Sequence, residues 1–316
     1  MQRHLKEPSI KQLLEAILLN AGSIDSINLN DGKLGLSLCL FEVAKYLNDE
    51  SAEDAAFTLL QEVLALRQKG KAVKPMEIGF VLLYLIENRL IEADFDDLFG
   101  EEKERLLKSI SVIKPYSATH LIFIPFLSLL YNLNNVELVC QLMVKILDGA
   151  ALSLEQQFNQ MQANRFMPNL QTCENAFENY LRSSSLLDDY VISPHVLEHY
   201  EKLYLQERIP NRFTTGFYIE KLFPENERLR SFGKSIQAYA AQNIYPDILS
   251  LSQRINLLYL LKQEESIYKV QIQQLEKRMF NNDISMYEKQ IARMIPLNKS
   301  TIAYEAGIAR LLLYWI

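Results

Sequence analysis

The feature of this sequence that most constrains its fold is a helical hydrophobic period that alternates between two kinds of segment. Residues 34–47 carry apolar side chains around most of a helix circumference, a pattern that predicts a helix buried on several sides. Residues 51–68 confine their apolar side chains to one stripe, which predicts an outer helix with one solvated face. The same succession returns in residues 78–110 and 121–151. Only 10 glycines and 10 prolines interrupt 316 residues, so we predict an all-α fold of long helices with short joints.

The inner-type helices begin near residues 33, 77 and 118, a spacing of about 40 residues that is typical of repeated helix pairs. Such pairs build either an open solenoid or a closed ring of hairpins. The last residues, 309–316, are apolar on most sides and would expose a large apolar face without a partner. A closed ring removes that face, because the last helix then packs against the first hairpin and buries Trp315. We therefore predict a closed α/α toroid.

One stretch departs from this period. Residues 155–212 contain two clusters of turn residues, at 164–172 and 182–194, and we expect a loop or an extra helix pair there, in the manner of an insertion. No low-complexity linker interrupts the chain, so we predict one domain over residues 1–316.

Charge and cysteine usage narrow the functional class. A net charge of −6 and a pI of about 5.4 argue against a nucleic-acid partner, which would call for a basic face. Three scattered cysteines, Cys39, Cys140 and Cys173, give no disulfide framework and favour a reducing compartment. The N-terminus has no apolar signal core, and no apolar run reaches the ~20 residues that span a bilayer. We expect a cytoplasmic protein without a membrane span.

A short motif at residues 193–199 offers a metal site as an alternative. His195, Glu198 and His199 follow the His-x-x-Glu-His order of inverted zinc metallopeptidases, in which both histidines share a helix face. Glu276 lies downstream at a spacing suited to the third ligand. However, those peptidases have strands that this sequence lacks. The pattern therefore favours an outer helix with both histidines near the surface.

Three segments resemble the inner helices of lanthionine synthetase C-like (LanC-like) proteins. Residues 29–41 contain Asn-Asp-Gly-Lys-Leu-Gly-Leu-Ser-Leu, with Gly32 and Gly35 in the Gly-x-x-Gly-aliphatic pattern that opens such helices. Residues 76–94, around Gly79, and residues 304–312, around Gly307, are similar. The resemblance implies an α/α toroid of the six-hairpin type.

The resemblance also implies what the chain lacks. Enzymes of the LanC-like family bind zinc through two cysteines and a histidine, with one cysteine directly followed by the histidine, and the metal activates a thiol. This sequence has no Cys-His pair. We therefore expect neither a zinc cofactor nor the family's cyclase chemistry.

The candidate ligand-binding residues lie at the openings of the inner helices: Asp31, Gly32, Gly35, Glu77, Gly79 and Gly307. Glycine at these positions allows helix starts to approach closely or to face a ligand, although helix packing alone also explains it. Asp31, Glu42 and Glu77 are the carboxylates that a carbohydrate-cleaving toroid would need, but the sequence cannot pair them.

We predict a diverged, non-catalytic LanC-like protein that binds a leader or precursor peptide, at the toroid mouth or along an outer groove, in a peptide-modification or export system. Two alternatives stay open. One is an active peptide-modifying or carbohydrate-cleaving enzyme that uses unrecognised residues. The other is a helical scaffold for protein–protein interaction, for which an open superhelix is expected.

Overall fold

The computed structural model describes residues 7–68, 74–134, 136–163, 170–209, 212–244, 251–280, 304 and 308–316. These residues form fourteen α-helices and one 3₁₀ helix, Ala118–Phe123, and contain no strand. The α-helices are α1 (Glu7–Ala21), α2 (Lys33–Leu47), α3 (Glu50–Gln68), α4 (Pro75–Glu87), α5 (Phe95–Ser111), α6 (Ile124–Asn134), α7 (Glu137–Ala163), α8 (Leu170–Ser184), α9 (Pro194–Leu205), α10 (Phe213–Leu222), α11 (Glu227–Gln242), α12 (Leu251–Gln263), α13 (Glu265–Phe280) and α14 (Ile308–Trp315). The prediction of an all-α protein is confirmed. None of the described helices combines the length and the apolar character needed to cross a bilayer.

The α2–α3 hairpin shows how local sequence sets these elements. Every residue of α2 from Lys33 to Phe41 is buried, as the all-round apolar pattern predicts. Asn48 ends α2 in the left-handed conformation, at φ 53°. The side chain of Asp49 then accepts a 3.0 Å hydrogen bond from the backbone N–H of Ala52 and caps α3. Two adjacent polar residues therefore stop the inner helix and start the outer one.

The chain divides into two compact units, and the division falls within α5. Unit 1 comprises Met1–Gly100 and Tyr245–Ile316. Within it α2 packs against α3 and α4, and α14 packs against α1, α2 and α12. The predicted contact between the last helix and the first hairpin is therefore present, while the predicted burial of Trp315 lies outside the described side chains. Closure of a ring and a single domain stay predictions.

Unit 2 comprises Glu101–Ile244. Its longest helix, α7, packs against α6, α8, α9 and the 3₁₀ helix. Three aromatic rings, Phe158, Phe177 and Tyr200, lie against one another at the centre of this group. The neighbouring α10–α11 pair approaches closely at Gly216, where an added Cβ would lie 2.6 Å from the carbonyl oxygen of Gly233.

The stretch that breaks the sequence period is largely helical. Within residues 155–212, α7 continues to Ala163, and α8 and α9 follow. Helices α8 and α9 each pack against α7, and residues 164–169 and 210–211 lie outside the description. Helix α1 is an element that the sequence reasoning did not identify.

Candidate binding sites

The predicted carboxylates at the inner-helix openings are engaged in holding the segment before α2. Glu77 Oε2 accepts a 3.0 Å hydrogen bond from the backbone N–H of Leu29, and Glu77 Oε1 lies 3.3 Å from Lys74 Nζ. Asp31 is exposed, and its Oδ1 accepts a 3.1 Å hydrogen bond from the hydroxyl of Ser26. These contacts fix the entry into α2 and tie it to the first turn of α4.

Two of the glycines at the same openings, Gly32 and Gly35, leave no room for a side chain. A Cβ at Gly32 would lie 2.5 Å from the backbone nitrogen of Asn28, and one at Gly35 would lie 1.8 Å from the carbonyl oxygen of Leu29. Gly79 is buried within α4. Gly32 and Gly35 therefore serve close packing of the chain. Gly307 lies outside the described residues.

A cavity opens farther along α2 and α4 within unit 1, and we name it the Glu42–Arg310 cavity. It has a volume of about 240 Å³ and is lined by side chains of α2, α4, α12 and α14 together with Tyr304. Four of its residues are aromatic and two are charged: Phe80, Tyr84, Tyr259, Tyr304, Glu42 and Arg310. Of these, Glu42 is a carboxylate that the sequence had already suggested.

Hydrogen bonds hold the two charged groups of this cavity. The hydroxyl of Tyr84 donates a 2.6 Å hydrogen bond to Glu42 Oε1, and burial together with the Glu42 charge raises the pKa of Tyr84. Arg310 Nη2 donates a 2.7 Å hydrogen bond to Asn256 Oδ1, and the Arg310 guanidinium lies 5.8 Å from the ring centre of Tyr304. Both charges are thus positioned before any ligand arrives.

The charges of Glu42 and Arg310 do not neutralise each other at ion-pair distance. Among the residues that the structure describes, no carboxylate lies within 4.0 Å of the Arg310 guanidinium, and no cation lies within that distance of Glu42. Arg310 Nε is closed off from solvent without a hydrogen-bond partner in that part of the chain. A cation and an anion therefore line one small cavity without pairing.

The buried thiols are not arranged as nucleophiles. Cys39 Sγ donates a 3.3 Å hydrogen bond to the carbonyl oxygen of Ala309, and burial and the nearby Glu42 raise the pKa of this thiol. Burial and the adjacent Glu174 raise the pKa of Cys173 to about 11. Since the thiolate is the reactive form, both groups are inert near neutral pH.

Unit 2 has a larger cleft, which we name the Asp148 cleft. It has a volume of about 430 Å³. Its walls are formed by Tyr131 and Asn132 of α6, Cys140, Val144 and Asp148 of α7, and residues 186–191 of the segment between α8 and α9. Since most of this lining comes from the region expected to be irregular, sequence reasoning missed the cleft, although the adjacent acids at 188 and 189 were a visible signal.

Negative charge and exposed apolar groups meet in the Asp148 cleft. The hydroxyl of Tyr190 donates a 3.2 Å hydrogen bond to Asp148 Oδ1. Asp148, Asp188 and Asp189 all line the cleft, and none of them lies within 4.0 Å of a lysine or arginine among the described residues. Val191 is 82% exposed at the same place. The cleft therefore offers unpaired carboxylates beside an apolar surface.

The three residues of the metal alternative have other contacts. His195 is exposed and 3.9 Å from Glu198, and His199 Nδ1 lies 3.0 Å from Gln162 Nε2. Glu276 belongs to unit 1, where it pairs with Lys262 at 2.8 Å. No group of three or more potential metal ligands occurs within the described part of the chain.

The two sites differ in the chemistry they offer. The Asp148 cleft presents negative charge in the larger of the two spaces, which suits a cationic side chain on a polypeptide. The Glu42–Arg310 cavity presents both charges in a small aromatic space, which suits a small polar molecule. Comparisons of the chain with protein-family models, with curated proteins and with solved structures found no match.

Proposed function

We propose that this protein is a diverged LanC-like α/α toroid that binds a leader or precursor peptide without modifying it, in a peptide-modification or export system. The all-round burial of α2, its glycine-packed start and the contact of α14 with α1 and α2 support this proposal. Cys39 and Cys173 are buried thiols of raised pKa, which is consistent with a binding role.

The observation that carries the binding role is the Asp148 cleft. Three aspartates line it without a cationic partner in the described chain. A lysine or arginine side chain of a ligand would therefore be attracted to these aspartates without displacing an existing ion pair. Val191 and the 43% exposed Leu186 provide apolar surface for the methylene stem of such a side chain. The occupant we propose is a basic peptide segment with interspersed aliphatic residues.

Tyr190 prepares the cleft for this ligand. Its hydroxyl bonds to Asp148 Oδ1 and lies 3.2 Å from the hydroxyl of Tyr180. Ser193, after the cleft segment, donates its backbone N–H to Tyr180 Oη at 3.4 Å. Tyrosine hydroxyls therefore hold both Asp148 and the residues that follow the cleft, which reduces the conformational entropy that binding must remove.

The test is titration of a fluorescein-labelled Lys-Leu-Lys-Leu-Lys peptide, followed by fluorescence anisotropy in low salt. The charge-deleted triple variant Asp148→Asn, Asp188→Asn, Asp189→Asn should weaken binding about 10- to 100-fold, on the basis of about 0.5–1 kcal/mol for each partly exposed pair. Raising the salt concentration should weaken wild-type binding in the same direction.

The matched control changes three exposed acids outside the cleft, in the variant Asp54→Asn, Glu104→Gln, Glu225→Gln. It alters the net charge equally and should bind nearly as wild type does. Equal loss in both triple variants would mean that only net charge attracts the peptide. Equal binding of a Glu-Leu-Glu-Leu-Glu peptide would also contradict recognition by the cleft.

A further inference from the structure

We infer that the Glu42–Arg310 cavity is a binding site for a free amino acid with an apolar or aromatic side chain. The side chains that line the cavity include one anion and one cation that do not pair with each other, and aromatic rings form much of the remaining wall. A free amino acid carries the complementary cation and anion on adjacent atoms of one small molecule. The inference does not rest on the proposed peptide-binding function, because the Asp148 cleft belongs to unit 2.

Arg310 provides the contact for the ligand carboxylate. Its described hydrogen bond goes to the neutral amide of Asn256, so the guanidinium charge has no anion at ion-pair distance among the described residues. A half-buried guanidinium in this state retains a desolvation cost that a carboxylate would offset. Arginine also presents several N–H donors in a planar fork, which matches a carboxylate better than a lysine does.

Glu42 provides the contact for the ligand ammonium. One of its oxygens, Oε1, accepts the hydrogen bond from Tyr84, which leaves Oε2 for a second donor. The rings of Tyr84, Phe80 and Tyr304 line the same cavity, and aromatic faces attract cations. The ammonium group would therefore meet a carboxylate and aromatic faces together.

The size of the cavity limits the ligand. About 240 Å³ is less than the range of about 300–1,000 Å³ typical of sites for drug-sized molecules. Leu38 and Leu313 complete an apolar wall beside the aromatic rings. A single amino acid with an apolar side chain satisfies both the size and the lining.

The test measures binding of L-leucine and L-phenylalanine to the full chain by isothermal titration calorimetry. Arg310→Gln and Glu42→Gln each remove one charge and retain a polar side chain, and each should weaken binding about 10- to 100-fold. Asp54→Asn, an exposed change on α3, is the matched control and should leave binding unchanged. Far-UV circular dichroism and thermal melting of each variant verify that it is folded.

Charge-deleted ligands make the assignment specific. L-Phenylalaninamide lacks the carboxylate, so wild type should bind it weakly and Arg310→Gln should cause little further loss, because both changes remove the same contact. Glu42→Gln should still weaken the amide further. N-Acetyl-L-phenylalanine should show the opposite pattern. Absence of saturable binding of both amino acids, or equal affinity for the amide and the acid, would overturn the inference.

Discussion

The buried carboxyl of Glu174 in α8 leads to a prediction about stability. Glu174 is 5% exposed, and neither of its oxygens has a hydrogen-bond partner among the described residues. Arg212 Nη2 lies 3.1 Å from Oε2, at ion-pair distance but not aligned for a hydrogen bond. Burial raises the pKa of Glu174 to about 7 from an ordinary value of 4.5, although Arg212 acts to lower it. The charged form is therefore costly in the folded state.

The sign and size of the effect follow from this shift. A carboxyl whose pKa is raised on folding is easier to protonate in the folded chain, so its destabilising effect appears as the pH rises from 4.5 to 7. The shift from 4.5 to about 7 corresponds to about 3 kcal/mol at pH 8 and to less than about 1 kcal/mol at pH 5.

Glu174→Gln keeps the shape of the protonated side chain and removes its charge. Arg212 retains its partners, since Nη1 donates to Asn175 Oδ1 at 2.7 Å and contacts Glu178 Oε2 at 3.2 Å. We expect the variant to raise the free energy of unfolding by up to about 3 kcal/mol at pH 8. At pH 5 the difference from wild type should fall below about 1 kcal/mol.

Urea denaturation at pH 5, 6, 7 and 8, followed by far-UV circular dichroism, measures this difference. Glu225→Gln, at an exposed position before α11, is the control and should show no such pH dependence. A Glu174→Gln variant that is less stable than wild type at pH 8 would refute the reasoning, because it would mean that the ion pair with Arg212 outweighs the cost of burial. A stability gain that is equal at pH 5 and pH 8 would also refute it.

Two further predictions test packing and thiol chemistry. Gly216→Ala should destabilise the protein by about 1–3 kcal/mol, because the new Cβ would lie 2.6 Å from the carbonyl oxygen of Gly233. Thermal melting measures this loss, and the control is Gly100→Ala, where the nearest neighbour of an added Cβ is 3.8 Å away. An equal loss of stability in both variants would contradict this account. In the native protein at pH 8 an aromatic disulfide reagent should modify half-exposed Cys140 before buried Cys39. Cys140→Ser should therefore abolish the fast phase of thiol modification. A fast phase that persists in this variant would show that a buried thiol is reactive.

The sequence predicted helices α2 and α3 correctly, because each of them carries its own signal. The apolar pattern around most of the circumference of α2 predicted its burial, and the single apolar stripe of the next segment predicted α3 as an outer helix. Helix α8 has an equally clear stripe, Cys173, Phe177, Tyr180 and Leu181, all of which are buried. Because turn residues lie on either side of α8, the sequence predicted an irregular segment there. The turn residues were thus given more weight than the helical hydrophobic period of α8 itself.

The binding sites could not be predicted in the same way. Glu42 and Arg310 line one cavity although 267 positions of sequence lie between them, and no local period links them. Two of the predicted residues at the helix openings, Glu77 and Asp31, make hydrogen bonds to the segment before α2. Their carboxylates are therefore used inside the protein. Sequence patterns identify which residues are polar and near a helix start, whereas their partners depend on tertiary packing.

The arrangement of the two units has a consequence for the order of folding during synthesis. Unit 2 is one continuous segment, Glu101–Ile244, whereas unit 1 combines Met1–Gly100 with Tyr245–Ile316. As the chain leaves the ribosome, all residues of unit 2 are made before α14, whereas α2 is made long before its partner α14. Contacts between such distant segments form slowly, because a long loop must close first. A nascent chain released before α14 would therefore display the apolar surface of α2 to the cell's chaperones.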